Sequence, residues 1–307
     1  MAETFRLATF NVENLFARYR FRQNQEAYAD EGFTINQLAF DIYNETEKRI
    51  TAQAVQEVDA DIICLQEVES LPLLDRFNSS HLGSEPAKRY NHRLVIDCFD
   101  PRQIDVAILS RFPIVGVRTH RHERNAANTA PLFSRDCLEA DVLIEGKVLT
   151  LYVNHLKSMM DGRAETRARR KEQADRVAEI VDKRWRPSYD GNFVVLGDLN
   201  DYMDAQTALK RLVGHAALEN ILDRAPEAER WTHYYAGGNE YRQLDYILVS
   251  KSFDARAGSP VPQVMRKGLP WRAEKYSGPR FEGVGHDNPK ASDHSPLYVD
   301  IPVVALI

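Results

Sequence analysis

The chain has 307 residues, 43% of them hydrophobic, and a formal net charge of −5. That length and apolar content can fill the core of one large domain or two small ones, while the weak negative charge excludes a global basic field for tight non-specific nucleic-acid binding but leaves room for a local basic groove. The three cysteines, Cys64, Cys98 and Cys137, exclude a disulfide framework and read as buried thiols of a reducing compartment.

Taken in chain order, residues 6–12 and 61–66 read as strands, with a helix over 47–58 between them that sets Ile50, Ala54 and Val58 on one face. Strands follow at 93–96 and 105–110, and then residues 137–144 and 148–155 flank Glu145-Gly146-Lys147, which has the composition of a hairpin turn. A longer helix aligns Ala174, Val177, Ala178, Val181 and Trp185. The last strands are expected at 193–198, 243–250 and 296–302. Residues 17–41, 120–134 and 259–290 lack clear periodicity and read as functional loops. Strands alternate with helices, and no composition break or repeat interrupts them. The expectation is therefore one α/β domain over residues 1–307, a four-layer α/β/β/α sandwich in which two packed mixed β-sheets are flanked by helices.

Several of these strands end in polar residues that a core does not need: Asn11, Glu67, His155, Asp198 and Asp245, with Asp293 and His294 just before the last strand. One strand-end carboxylate is simply a turn cap, but a recurring set with amides beside it points to a shared polar site. Oxygen-rich donors with few histidines and no thiolate pair suit Mg²⁺ or Mn²⁺ better than Zn²⁺. Strand alternation is expected to give Asp198 and Asn200 the same facing. Asp245 is a plausible orienting partner for His294, fixing its tautomer and keeping it protonable. His81, His92, His120, His122, His215, His233 and His286 have no comparable context, and solvent exposure is expected for them.

Asn11, Gln66-Glu67, Asn154-His155, Gly197-Asp198-Leu199-Asn200, Leu244-Asp245-Tyr246 and Ser292-Asp293-His294 occur in the order and spacing of the endonuclease/exonuclease/phosphatase superfamily, which the chain resembles from residue 5 to residue 301. The resemblance implies a DNase I-like fold and metal-dependent phosphodiester hydrolysis. It makes Glu67 the main metal carboxylate, with Asn11 beside it and Asp293 completing or neighbouring the site. Asp198 is then the residue that orients or deprotonates the attacking water, Asn200 supports a phosphoryl oxygen, Asp245 and His294 form a carboxylate-histidine pair, and His155 is a second active-site histidine. Arg135 stands where related nucleases place an arginine near the phosphate, and Arg111 is a second candidate. The number of metal ions is left open.

For the substrate, Val153-Asn154-His155-Leu156-Lys157-Ser158 resembles a signature of bacterial extracellular DNases in this superfamily, which favours DNA and makes Lys157 a candidate contact. Arg18, Arg20, Arg22 and Arg163 add to a phosphate-tracking rim. RNA, nucleotides, inositol phosphates and sphingomyelin-type lipids are alternatives with the same reactive centre. Tyr234-Tyr235 and Pro270-Trp271 are the nearest candidates for a membrane-inserting hairpin, but Lys267, Arg272 and Lys275 surround the second. A catalytically silent binding module is the remaining alternative, although retaining every costly carboxylate argues against it. The N-terminus has neither a basic n-region nor an apolar h-region, and no run reaches membrane-spanning length. The expectation is a cytoplasmic protein, or an extracellular one if a leader has been removed. No stable membrane association and no obligate protein partner are expected.

Overall fold

The computed structural model describes residues 3–21, 38–83 and 89–307. The chain runs through β1 (Thr4–Leu15), β2 (Ala17–Phe21), β3 (Leu38–Ile42), α1 (Glu45–Val58), β4 (Ile62–Val68), α2 (Leu71–Ser80), β5 (His92–Val95), β6 (Asp105–Ser110) and β7 (Ile114–Arg118). It continues with β8 (Cys137–Ile144), β9 (Lys147–His155), α3 (Arg163–Trp185), β10 (Phe193–Asp198), α4 (Lys210–Val213), β11 (Leu218–Asn220), β12 (His233–Tyr235) and β13 (Glu240–Arg242). Last come β14 (Asp245–Ser250), α5 (Lys251–Arg256), β15 (Gln263–Val264) and β16 (Leu297–Pro302).

Two six-stranded sheets result, ordered β15-β16-β1-β4-β6-β5 and β11-β14-β10-β9-β8-β7. Each is mixed, with one parallel pair at its centre, β1 with β4 and β9 with β10. The alternating residues Leu7, Cys64, Val106 and Ile108 of the first sheet meet Leu138, Ala140, Leu151, Val153, Val194 and Leu196 of the second in one buried cluster. The opposite face of the first sheet, with Ala8, Phe10, Ile63 and Leu65, packs on α1 and α2 through Ile50, Ala54, Val58, Leu73 and Phe77. Tyr152, Phe193, Val195 and Tyr246 of the second sheet pack on Ala174, Val177, Ala178 and Val181 of α3. The expected four-layer sandwich is therefore the observed one. Glu145 and Gly146, with φ of 48° and 80°, make the two-residue hairpin turn between β8 and β9.

The periodicity missed β7 and also β11, β12, β13 and β15, the last four of which are too brief to carry an alternation signal. It also missed α2, where Pro72 sits at the helix start, a position that tolerates proline. Of the aperiodic segments, residues 22–37 lie outside the described residues, while β2 and β3 pair at the ends of that stretch. Within 259–290, Leu269 and Ala273 pack against Trp231 and Tyr234, so that loop is fastened to the strand before the site. Cys64 and Cys137 are buried and Cys98 is half-buried, all as free thiols. No helix among the described residues is long and apolar enough to cross a membrane.

Topology brings the polar residues to one pole. Because β1 and β4 are parallel, Asn11 and Glu67 finish at the same edge, and parallel pairing of β9 with β10 sets His155 opposite Asp198. β14 and β16 run the other way, so their first residues arrive at that edge, with Asp245 opposite Asp198 and Leu297 opposite Thr9. Gly197 permits the close approach of β9 and β10: its φ is 129°, and a Cβ there would lie 2.0 Å from the Asn154 carbonyl oxygen. Gly197→Ala is expected to lower the unfolding free energy by about 3 kcal/mol, measured by urea denaturation, because the obstructing atom is backbone and strain adds to overlap.

Candidate active site

Asp198 occupies the centre, fully enclosed at the end of β10. Its Oδ1 accepts from the Asn200 backbone N–H at 2.8 Å, and its Oδ2 accepts from Asn11 Nδ2 and Asn200 Nδ2, each at 3.0 Å. His294 Nε2 stands 3.7 Å and His155 Nε2 3.5 Å from the same Oδ2. Burial pushes the Asp198 carboxyl upward and Asp245 adds to the rise, opposed by His294 and the amide donors.

Asn200 does not share the facing of Asp198 through strand alternation as expected. β10 stops at Asp198, and Asn200 takes a left-handed turn with φ 53° that folds its side chain back. Its Nδ2 donates both to Asp198 and to the Leu156 carbonyl at 3.1 Å. The amide therefore orients Asp198, with both of its N–H groups committed in this arrangement.

Glu67 sits at a break in the β4–β6 register with φ 68°, a bulge that turns its carboxylate into the cleft. Asn14 N–H donates to Oε2 at 3.0 Å, Asn11 Nδ2 reaches Oε1 at 3.5 Å, and His155 Nε2 is 3.9 Å from Oε1. Glu13 and Asn14 also have positive φ, 47° and 61°. Strained backbone thus gathers at the same edge, the pattern expected where side chains are aimed for function.

His294 is held from both ends. Its Nδ1 lies 2.8 Å from Asp245 Oδ2, as the carboxylate-histidine pair required. Burial works against a charged imidazole, but Asp245, Asp198 and Asp293 together hold its pKa well above the ordinary value. Thr232, fully buried, donates from Oγ1 to Asp245 Oδ2 at 2.6 Å and accepts both the Leu244 and Asp245 backbone N–H groups at 3.1 Å. Ser292 Oγ donates to the Asn11 carbonyl at 2.7 Å and accepts the His294 N–H at 3.0 Å. His155 is the reverse case: burial, Arg135, His294 and Arg102 push its pKa well down, and its Nδ1 has no hydrogen-bond partner among the described residues. It is a neutral imidazole beside Glu67 and Asp198.

Asp293 is about a third exposed, with its backbone N–H donated to Glu13 Oε2 at 2.8 Å. Glu13, which the sequence reading passed over, is itself held by Lys290 Nζ at 2.8 Å. His233 was also missed. Its Nε2 lies 3.6 Å from Asp293 Oδ2 and its ring centroid 4.5 Å from that of His294. A pairing of residues 232–234 with 293–295, through the Tyr234, Ser295 and His233 backbones, creates this contact, and no local sequence pattern announces it. His120 and His215 are likewise half-buried against Glu139 and Asp182 rather than in solvent.

The arginines depart further from expectation. Arg111 follows the far end of β6 and pairs with Asp59 and Asp61 at the opposite pole, because β6 runs antiparallel to β4. Arg135 is close to the cluster but buried, with Nε on Asp100 at 2.8 Å and Nη1 on the Leu156 carbonyl at 3.0 Å. Lys157 pairs with Asp161 at 2.6 Å. Arg163 is occupied by Asp201 and Asp204 and stacks on Tyr202 at 3.8 Å. Arg18 is exposed; Arg22 lies outside the described residues. Tyr234 is buried while Tyr235 and Trp271 are exposed, so neither aromatic pair presents two exposed apolar rings.

The donor set fits a divalent cation. Carboxylates of Glu13, Glu67, Asp198, Asp245 and Asp293 crowd one edge, and His233-Asp293-His294 and Asp198-Asp245-His294 each bring ligand atoms within 4.8 Å of one another. In the second group the His294 imidazole is held protonated and committed to Asp245, so that group is a hydrogen-bonded relay more than a ligand set. Glu13, Glu67 and Asp293 are the partly exposed carboxylates of the set, while Asp198 and Asp245 are enclosed.

The family model described as "Endonuclease/Exonuclease/phosphatase family" matches residues 8–294. Among solved structures, Caenorhabditis elegans TDP2 is similar at 17% identity over 98% of both chains, with a TM-score of 0.59. The catalytic domain of human Nocturnin with bound sulfate matches at 15% identity, covering 98% of this chain and 94% of that one, with a TM-score of 0.59. A D. rerio TDP2 complexed with single-strand DNA product matches at 17% identity over 97% and 99% of the two chains, with a TM-score of 0.58. No curated protein matches the sequence.

In the metal-free protein, His294 is expected by NMR titration to keep its proton well above the ordinary imidazole range, and Asp245→Asn to bring its pKa down, since a lost anion removes part of what favours the cation. Because the folded imidazole holds its proton above the unfolded value of 6.5, the associated stability is fully present below that value and is lost as pH rises through the folded one. An unchanged His294 titration in Asp245→Asn would contradict the pairing.

Proposed function

The chain belongs to the endonuclease/exonuclease/phosphatase family, and on that premise we propose that it is a Mg²⁺- or Mn²⁺-dependent nuclease that hydrolyses DNA phosphodiester bonds by in-line attack of water. At the coarser level it is a phosphoesterase of that superfamily with a buried Asp/His cluster. The observation that carries the reading is the Asp198 carboxylate, fixed by two amides, next to the His294 imidazole that Asp245 keeps charged.

Each residue has a task that its surroundings permit. Asp198 accepts the proton of the attacking water, since burial raises its affinity for a proton while Asn11 and Asn200 aim its oxygens. His294 donates from Nε2 to the oxygen on which charge builds. Glu67, with Asn11 beside it, and Asp293 would hold the metal, which supplies neutralisation of the phosphoryl oxygens. Neutral His155 offers a hydrogen bond near Glu67. Support for DNA comes from the Asn154-His155-Leu156-Lys157-Ser158 segment and from the single-strand DNA product carried by the D. rerio relative.

Incubation with supercoiled plasmid, single-stranded DNA, RNA and small phosphorylated molecules, in Mg²⁺ or Mn²⁺ and with EDTA, tests this. DNA cleavage that requires metal is expected. RNA or small-molecule turnover with DNA intact would overturn the substrate, and no turnover of anything would favour a silent binding protein. Asp198→Ala and His294→Ala are each expected to slow turnover by on the order of a thousandfold, the worth of a preorganised contact of about 3 to 4 kcal/mol. Near wild-type rates in His294→Ala would remove that residue from the mechanism.

A further inference from the structure

β12 is a short strand in which the side chains on either side of His233 are already committed. Thr232, just before it, is spent on Asp245, and Tyr234 is buried against Trp231 and Leu269. His233, between them, faces the other way by strand alternation and meets Asp293. The backbone bridge of His233 with His294 and the bond from the Tyr234 N–H to the Asp293 carbonyl hold the two side chains side by side.

The separation of the polar atoms matters. His233 Nε2 and Asp293 Oδ2 are 3.6 Å apart, beyond the roughly 2.7–3.2 Å of a good N–H···O bond. Donors about 2.1 Å from a shared ion lie roughly 3.0 Å apart at an octahedral corner and roughly 3.4 Å apart at a tetrahedral one, so a few tenths of an ångström of adjustment would let one ion bridge them. The opening is also right, since His233 and Asp293 keep 13% and 35% of their side chains exposed, leaving room for waters or a phosphoryl oxygen to complete the coordination. His294 is less suited, because its Nδ1 is committed to Asp245 and its Nε2 is 4.0 Å from Asp293.

We propose that His233 Nε2 is an inner-sphere ligand, together with Asp293, of the divalent cation site, and that this imidazole biases the site toward first-row transition ions over Mg²⁺. The inference rests on the metal-dependent reading above and adds to it a nitrogen donor that the acidic residues alone do not supply. Mg²⁺ takes oxygen ligands and keeps its waters, whereas Mn²⁺, Co²⁺ and Zn²⁺ accept imidazole nitrogen, with affinity rising along the series.

The test uses the whole chain stripped with EDTA and loaded with Mn²⁺. Electron spin-echo envelope modulation reads nitrogen bound to the ion, and titration calorimetry reads Mn²⁺ and Mg²⁺ affinity, in wild type, His233→Phe, His233→Gln and Glu67→Gln. A nitrogen modulation is expected in wild type and is lost in both His233 variants, with Mn²⁺ binding weakened at least about tenfold and Mg²⁺ binding changed less than about threefold. His233→Gln keeps a polar group beside Asp293 and carries the test where His233→Phe fails to fold. Absence of nitrogen modulation in wild type, or its persistence in the His233 variants, overturns the proposal. Mn²⁺ binding that Glu67→Gln weakens and the His233 variants leave intact overturns it while keeping the metal-dependent reading. Wild type that binds no Mn²⁺ defeats both.

Discussion

The 2.8 Å contact between His294 Nδ1 and Asp245 Oδ2, with both residues buried, is the interaction around which the rest of the pole is arranged. A charged group removed from water is tolerated only with a partner and with its remaining hydrogen-bonding capacity largely satisfied. Thr232 answers part of that demand by donating to Asp245 and by accepting the backbone N–H groups of Leu244 and Asp245. Ser292 fixes the other partner by tying the His294 backbone to Asn11. Through these bonds the second sheet, the first sheet and the loop before β16 share one polar centre.

The reactivity proposed for that centre rests on contrast between neighbours. His294 is held charged by surrounding carboxylates, while His155, buried and near Arg135, Arg102 and His294 itself, is held neutral. Burial raises the proton affinity of Asp198, and the amides of Asn11 and Asn200 restrict where its oxygens point. An acid, a base and a neutral polar group can therefore coexist within a few ångströms, each set by its environment. The cost is backbone strain at Glu13, Asn14, Glu67 and Asn200, all with positive φ, placed where the well-packed sheets can enforce it.

The pairing of strands explains which of the polar residues meet. Asn11, Glu67, His155 and Asp198 are legible because each ends a strand with a clear apolar pattern, and Asp245 because it begins one. Parallel and antiparallel partners then bring those ends together. Arg111 also ends a strand, β6, but that strand points the other way, so the same local signal lands at the opposite pole. Arg163 and Arg135 are phosphate-contact candidates by their place in the sequence, yet each has carboxylate partners from distant segments, Asp201 and Asp204 for one and Asp100 for the other. His233 carried no signal at all, since what makes it notable is Asp293, sixty residues away and across a backbone bridge.

By itself the sequence determined the layers, the approximate elements and the polar residues at strand ends, because hydrophobic periodicity and a misplaced carboxylate are local properties of the chain. Tertiary structure alone decided which of those polar groups meet. It turned Glu67 inward at a bulge, folded Asn200 back on Asp198, spent the arginines on ion pairs and set His233 beside Asp293. The physical reason is that charge state and orientation depend on distances of a few ångströms between residues far apart in the chain, and those distances exist only once both sheets have packed.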